Sequence, residues 1–241
     1  FQIYCDFSGY SDIAIGTAKL FGIELISNFK FPYFSSNISE FWKRWHISLS
    51  SWFRDYLYYP IGGSKKGLIK TIRNLFIVFL LSGLWHGANL TFLAWGLCHA
   101  MIYMAWFLHK ALKRSLYIKP NNKNSIFKIF EKTYQIILTF SSVTFAWVFF
   151  RSPSLEKSFI YIYSILSNFS LPLTNRSGLI FILPFIMLEY IMKNDERNFF
   201  ITDRFFINKI LLLTMTFIVI VYFLNDYAYN KEMRQFVYFQ F

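Results

Sequence analysis

FLLSGLWHGANLTF, Phe79 to Phe92, sits inside a 34-residue apolar run from Leu75 to Leu108. Its one titratable side chain is His86, beside Trp85 and three residues before Asn89. As one α-helix the run would be about 50 Å long, against a hydrocarbon core of about 30 Å. It is therefore either a kinked, strongly tilted helix with an interfacial end, or it breaks near Trp85–Asn89. On either path His86 lies about 16 Å in from Leu75 along a helix, inside the membrane. A polar group at that depth is costly unless it has a partner or a task. Gly83 and Gly87, four apart, expose bare backbone on one helix face where a second helix or a substrate can approach.

Composition carries this reading to the whole chain. Of 241 residues, 55% are hydrophobic, 22% aromatic and only 16% charged, well below the usual quarter. The expected class is an all-α, polytopic integral membrane protein. The net charge of +12 does not argue for nucleic acid, because the basic residues fall in loops between apolar segments. Retained cytoplasmic loops and contact with membrane lipid headgroups account for them. Cys5 and Cys98 stand apart in apolar surroundings, as packing residues rather than a disulfide or metal pair. The chain starts inside an apolar segment, with no signal peptide in view. The expectation is a single membrane domain over 1–241, the C-terminal part of a longer protein whose first helices are absent.

Phe1 to Leu25 is apolar but holds Asp6 and Asp12, which at membrane depth must face a bundle interior, water or a partner. Asn28 to Ser39 reads as a loop. From Ser39 to Pro60, the residues Trp42, Trp45, Leu49, Trp52, Phe53, Tyr56 and Tyr59 recur every three or four positions. That spacing predicts one α-helix, with Ser39 as its cap, lying along the interface with its aromatics inward. His46 falls on the aromatic face. Lys43, Arg44, Arg54 and Asp55 fall elsewhere. Pro60 and Gly62-Gly63-Ser64 close it in a turn.

Two basic loops flank the central run. One holds Lys65, Lys66, Lys70 and Arg73, and the other runs from His109 to Lys132. The positive-inside rule places both in the cytoplasm only if the run between them re-enters or crosses twice. Further apolar segments are Tyr134 to Phe150, Phe159 to Leu166, Leu179 to Met192 and Ile210 to Leu224, the second too short to span. The tail from Asn225 to Phe241 is polar and aromatic.

Two roles are open to His86: holding two helices together by a hydrogen bond, or acting as a general base that takes a proton from a hydroxyl attacking an acyl carbon. Asn89, one turn on, either orients the ring, donates to an oxyanion, or bonds between helices. His46 is either a tucked interfacial residue or a second polar group lining the same cavity. His99, 13 residues past His86, faces elsewhere on a continuous helix and reads as packing. His109 beside Lys110 suits a helix terminus. The histidine spacings of 40, 13 and 10 match no metal motif. No dinucleotide fingerprint, Walker loop or GxSxG elbow is present, which disfavours a nucleotide-hydrolysing pump or a soluble-type hydrolase.

Five blocks in order, FQIYCDFSGYSDIAIGTAKLFGI (1–23), FWKRWHISLSSWFRDYLYYPIGGS (41–64), SGLWHGANLTFLAWG (82–96), AWVFFRS (146–152) and FVYFQF (236–241), together resemble the membrane-bound O-acyltransferases, most of all the alginate O-acetylating type. The resemblance implies helices, some interfacial or re-entrant, around a central funnel or tunnel. It implies that His86 corresponds to the family's invariant histidine and His46 to its second motif histidine, with Trp85, Asn89 and Asp12 in support. It implies transfer of an acyl group, most simply acetyl from acetyl-coenzyme A or another thioester, with no bound cofactor or metal. The acceptor would be an exported cell-envelope polysaccharide or a periplasmic or extracellular acetyltransferase partner, and the location the bacterial inner membrane. A non-catalytic conduit or scaffold of a secretion complex competes with this reading. A small-molecule transporter is weakened by the lack of an inverted repeat.

Overall fold

The run from Leu75 to Leu108 is broken. In the computed structural model, α4 (Leu68–His86) ends at His86 and α5 (Leu90–Ser115) begins three residues after Gly87. Gly87 takes φ 153°, and a Cβ there would come within 2.8 Å of the Phe92 ring. The two helices pack antiparallel at very short range. A Cβ on Gly83 would lie 2.4 Å from the Phe92 carbonyl oxygen, and one on Gly96 would lie 2.4 Å from that of Phe79. Gly83 therefore serves close approach as expected, but its partner in that role is Gly96 across the interface. Gly87 makes the turn. The hairpin returns Lys110 and Lys113 to the end that carries Lys70 and Arg73, the arrangement that the positive-inside rule asks of both basic segments.

The structure describes residues 1–116, 125–167 and 179–193, with Thr214, Phe217, Ile218, Ile220 and Val221. Lys119, Lys123, Arg197, most of Ile210–Leu224, and the tail with its FVYFQF block lie outside the described residues. The other helices are α1 (Gln2–Leu20), α2 (Ile38–Arg44), α3 (Ile47–Trp52), α6 (Ser125–Arg151), α7 (Leu155–Ser167) and α8 (Leu179–Met192). No strand occurs among the described residues, so the chain is all-helical there. Among the described residues three helices, Leu68–His86, Leu90–Lys113 and Ser125–Arg151, are long and apolar enough to cross a membrane. Their outer faces expose Leu81, Leu84, Leu97, Met101, Ile137, Leu138 and Phe145, an aggregation hazard in water and a fitting surface against lipid. The second basic segment is not one loop. α5 stays helical through Ser115 and α6 starts at Ser125. Lysines suit a helix C-terminus, and the Lys110 ammonium lies 5.0 Å above the Trp106 ring.

The chain forms two compact units. The smaller joins Phe1–Tyr10 with Asn175–Phe241. In it, Tyr4 donates a hydrogen bond to the Glu189 carboxylate of α8. The larger, Ser11–Thr174, carries His46, His86 and His99. Tyr4, Phe7 and Ser11 make the buried stripe of α1. Asp12 is one residue, about 100°, past that stripe, and it is exposed. Cys5 is exposed too, so of the two cysteines only Cys98 is partly packed.

The stretch from Ser39 to Pro60 is not a single helix. α2 ends at Arg44, and His46 adopts a left-handed conformation, φ 44° and ψ 56°, before α3 begins. Phe53–Tyr58 then forms a π-helical turn. The break rotates the aromatic stripe. Trp45 and Phe53 are buried, whereas Trp52, Tyr56 and Tyr59 are exposed. The cap is Asn37, whose side chain accepts the Glu40 N–H at 2.9 Å. Glu40 reaches back to the Ser36 N–H at 2.8 Å and hydroxyl at 2.7 Å, and pairs with Arg44 at 2.8 Å. Below the π-turn, fully buried Asn74 of α4 donates to the Gly63 carbonyl at 3.0 Å, which ties the Gly62-Gly63 turn to the hairpin.

Candidate active site

The left-handed backbone at His46 is held by the segment before α2. The Lys30 N–H donates to the Arg44 carbonyl at 3.0 Å, and the Ile47 N–H donates to the Asn28 carbonyl at 3.0 Å. The Asn28 side-chain oxygen accepts the Ser48 N–H at 3.1 Å and hydroxyl at 2.6 Å. The Asn28 amide reaches the Ser11 hydroxyl of α1 at 3.4 Å. A non-glycine residue in this region is uncommon and marks local strain. Asn28 thus presents His46 from what read as a plain loop. The only signal in the sequence was its side-chain chemistry, suited to turns.

His86 is the last residue of α4, at the tip of the hairpin. Its ring is enclosed by aromatic groups from three helices. Trp85 lies 4.9 Å away between centroids, Trp95 of α5 5.2 Å and Phe150 of α6 4.9 Å, all edge to face. Phe92 completes the wall at 6.2 Å. Among the described residues His86 makes only these ring contacts. Small and β-branched residues let α6 approach: Val143 and Ala146 are fully buried, and Trp147 stacks on Trp95 at 5.8 Å. Sequence periodicity had no means of placing Phe150 on His86, or Trp147 on Trp95 behind it, since they arrive from over 50 residues away.

His46 meets the same Trp85 ring, at 6.1 Å between centroids. The two imidazoles are within electrostatic reach of each other. Burial lowers the His46 imidazole to about 4, so it stays neutral near pH 7. Trp85 itself is 56% exposed and forms an open wall. Of the expected supporting residues, Asn89 is engaged elsewhere. Its oxygen accepts the Thr91 N–H at 3.1 Å, which caps α5, and its amide donates to the Pro153 carbonyl at 3.0 Å. Asp12 makes no hydrogen bond to either imidazole among the described residues. His99 is fully buried among aromatic rings, in keeping with its packing reading. Among the described residues no three His, Cys, Asp or Glu side chains come together as a metal site would need.

Beside this site lies a pocket of about 420 Å³ lined by Trp42, Lys43, Arg54, Tyr58, Phe79 and Tyr103, among others. It reaches Ser82, one helical turn before His86. Its walls are α2, α3, the π-turn and the hairpin, and Tyr103 donates to the Ser39 hydroxyl at 3.1 Å across it.

The family model described as "MBOAT, membrane-bound O-acyltransferase family" matches residues 1–146. The chain belongs to this family. As a membrane-bound O-acyltransferase family member it carries within the match Asn28, His46, His86, Trp95 and His99, while Trp147 and Phe150 fall just past its end. Among curated proteins the chain is similar to the probable alginate O-acetylase of Pseudomonas fluorescens, 47% identical over 156 residues, which are 64% of this chain and 29% of that protein. It is similar to the peptidoglycan O-acetyltransferase of Helicobacter pylori, 42% identical over 158 residues, 66% of this chain and 28% of that protein. It also matches the teichoic acid D-alanyltransferase of Bacillus subtilis, 35% identical over 156 residues, 61% of this chain and 38% of that protein. The chain spans less than a third of the length of the O-acetylating relatives.

Proposed function

We propose that the protein containing this chain is a membrane O-acyltransferase that moves an acyl group, most simply acetyl, from a cytoplasmic thioester donor to a hydroxyl presented on the far side of the membrane. The observation that carries this is the setting of His86. It is an imidazole at a helix break, walled by Trp85, Trp95 and Phe150, with no described protein group hydrogen-bonded to it. Family membership and the names of the relatives, which refer to alginate, peptidoglycan and teichoic acid, support an exported cell-envelope polymer, or a partner protein that passes the group on, as acceptor.

The donor enters from the end bearing the basic segments. Lys43 and Arg54 at the pocket suit an anionic carrier such as acetyl-coenzyme A. Neutral His86 takes the proton of the acceptor hydroxyl as that oxygen attacks the thioester carbon. The C–S bond then breaks, and the thiolate leaves with the proton from the imidazolium. His46 is the second polar group of the same chamber. α2, α3 and the hairpin form part of the wall of a funnel in which donor and acceptor meet, within a bacterial inner membrane.

The test is the O-acetyl ester content of exported polysaccharide in cells carrying the full-length protein, wild type against His86→Ala at matched membrane levels. Loss of ester is the expected result, and unchanged ester would overturn the role of His86. His86→Gln separates catalysis from conduction, because glutamine hydrogen-bonds but is a poor base. Retention of ester in that variant would favour a conduit.

A further inference from the structure

From Tyr56 to Phe130 the sequence carries ten lysines and arginines and not one aspartate or glutamate. In that stretch Lys65, Lys66, Lys70, Lys110 and Lys113 are exposed, and among the described residues none of them pairs with a carboxylate. Arg73 is engaged differently. Its guanidinium donates to the side-chain oxygen of buried Asn74 at 2.9 and 3.2 Å. Just upstream, Glu40 and Asp55 are taken by Arg44 and Arg54. The described protein therefore does not supply the counter-charge for these lysines.

The hairpin gathers them at one end. The close contacts of Gly83 with Phe92 and of Gly96 with Phe79 fix the register of α4 against α5. Carried along both helices, that register sets Lys70 level with Trp106. Lys110 follows one turn later, its ammonium 5.0 Å above the Trp106 ring, and Lys113 comes next. Lys65 and Lys66 stand just before α4. No lysine, arginine or acid lies between Arg73 and Lys110, so the rest of the hairpin is without formal charge. Apolar side chains are exposed among the lysines: Leu68, Ile69, Leu108 and Leu112, with Ile69 at 83%.

A ligand for this end must bring negative charge to the ammonium groups and apolar surface to the side chains beside them. A soluble phosphate supplies the charge and leaves Ile69 and the leucines in water. A phospholipid supplies both in one molecule. Lysine suits it, because the stem lies along apolar surface while the ammonium reaches the headgroup. An indole such as Trp106 suits the boundary between the two. We propose that the end of the hairpin marked by Lys70, Trp106 and Lys110 is a binding site for an anionic phospholipid. Lys70 and Lys110 hold the phosphate, and the acyl chains run against the neighbouring apolar side chains. The proposal makes no use of the acyl-transfer reading and stands or falls apart from it.

The experiment takes the full-length protein in an uncharged detergent, offers mixed micelles of phosphatidylglycerol and phosphatidylcholine, and counts retained lipids by native mass spectrometry. Wild type should retain phosphatidylglycerol in preference by about tenfold. Lys70→Gln combined with Lys110→Gln should remove most of that preference. Arg151→Gln combined with Lys157→Gln deletes the same charge at the opposite end, where Pro153 bonds Asn89 at the hairpin tip, and should leave the preference within about twofold. All four side chains are exposed, so folding is not at stake. No preference in wild type, or equal losses in the two double variants, would overturn the proposal. Inorganic pyrophosphate at matched ionic strength should displace little of the retained lipid. Complete displacement would assign the lysines to a soluble anion and defeat the lipid site.

Discussion

His46 and His86 both meet the Trp85 indole edge-on, at 6.1 and 4.9 Å, although 40 positions separate them in the chain. One imidazole is delivered by a left-handed turn and the other by a helix terminus. Neither sits in the middle of a regular helix, so small backbone shifts at either break reposition the pair. The consequences are open to measurement.

The His46 imidazole, lowered by burial to about 4, makes stability depend on pH in a defined direction. The unfolded chain takes up a proton near its ordinary 6.5 while the folded protein resists until about 4, so folding weakens as pH falls through that window. Thermal unfolding of the full-length protein in detergent should show a melting temperature that is level above pH 6.5 and declines towards pH 4. His46→Gln should flatten the decline. An identical slope in the variant would assign the effect to other groups.

Asn28 fixes the turn that presents His46. Asn28→Ala strands the Ser48 N–H and should cost about 1–3 kcal/mol of stability, with acyl transfer reduced roughly tenfold or more through misplacement. Asn28→Asp keeps the acceptor and should retain most activity. Parallel assays of ester content and unfolding would expose a purely structural role, in which the two variants lose stability without a difference in transfer per folded molecule.

Asn89 distinguishes a cap from an oxyanion donor. As the cap of α5, its replacement by alanine should cost about 1 kcal/mol and leave the turnover number within a few-fold. Loss of an oxyanion donor would instead lower turnover about 10²–10³-fold. Asn89→Ser restores the cap and should recover stability.

Gly83 and Gly96 set the spacing of the hairpin. Either alanine substitution places a methyl 2.4 Å from a backbone oxygen and should destabilise by about 1–3 kcal/mol or more. The double variant should lose less than the sum, since helices already pushed apart accommodate the second methyl. Strict additivity in denaturant titrations would mean that the two contacts yield independently.

Much of this architecture is written in local chemistry. The excess length of Leu75–Leu108 left a tilted helix and a break near Trp85–Asn89 both open, and the chain breaks there, at Gly87. His86 stood out because a polar residue in so apolar a run needs a reason. Periodicity alone misled over Ser39–Pro60. A stripe of aromatics at helical spacing survives in the sequence even when one left-handed residue turns the second half away, and the bonds that hold that residue come from Asn28 and Lys30, outside the stripe. The wall around His86 was hidden for a different reason. Phe150 reaches it, and Trp147 reaches Trp95 behind it, only through tertiary packing of α6, and nothing in their own neighbourhood signals that destination. His99 was placed on packing grounds, and its burial agrees. What the wheel does not reveal is the set of indoles it shares.

The backbone at position 46 has a further meaning for protein engineering. Glycine would occupy φ 44° without strain, so a His46→Gly exchange relaxes the main chain while deleting the imidazole. A histidine of inverted chirality at the same place, installed by chemical ligation, would keep the imidazole and relax the main chain. Those two molecules separate the worth of the side chain from the worth of the bend, a separation that no set of ordinary substitutions at this position can achieve.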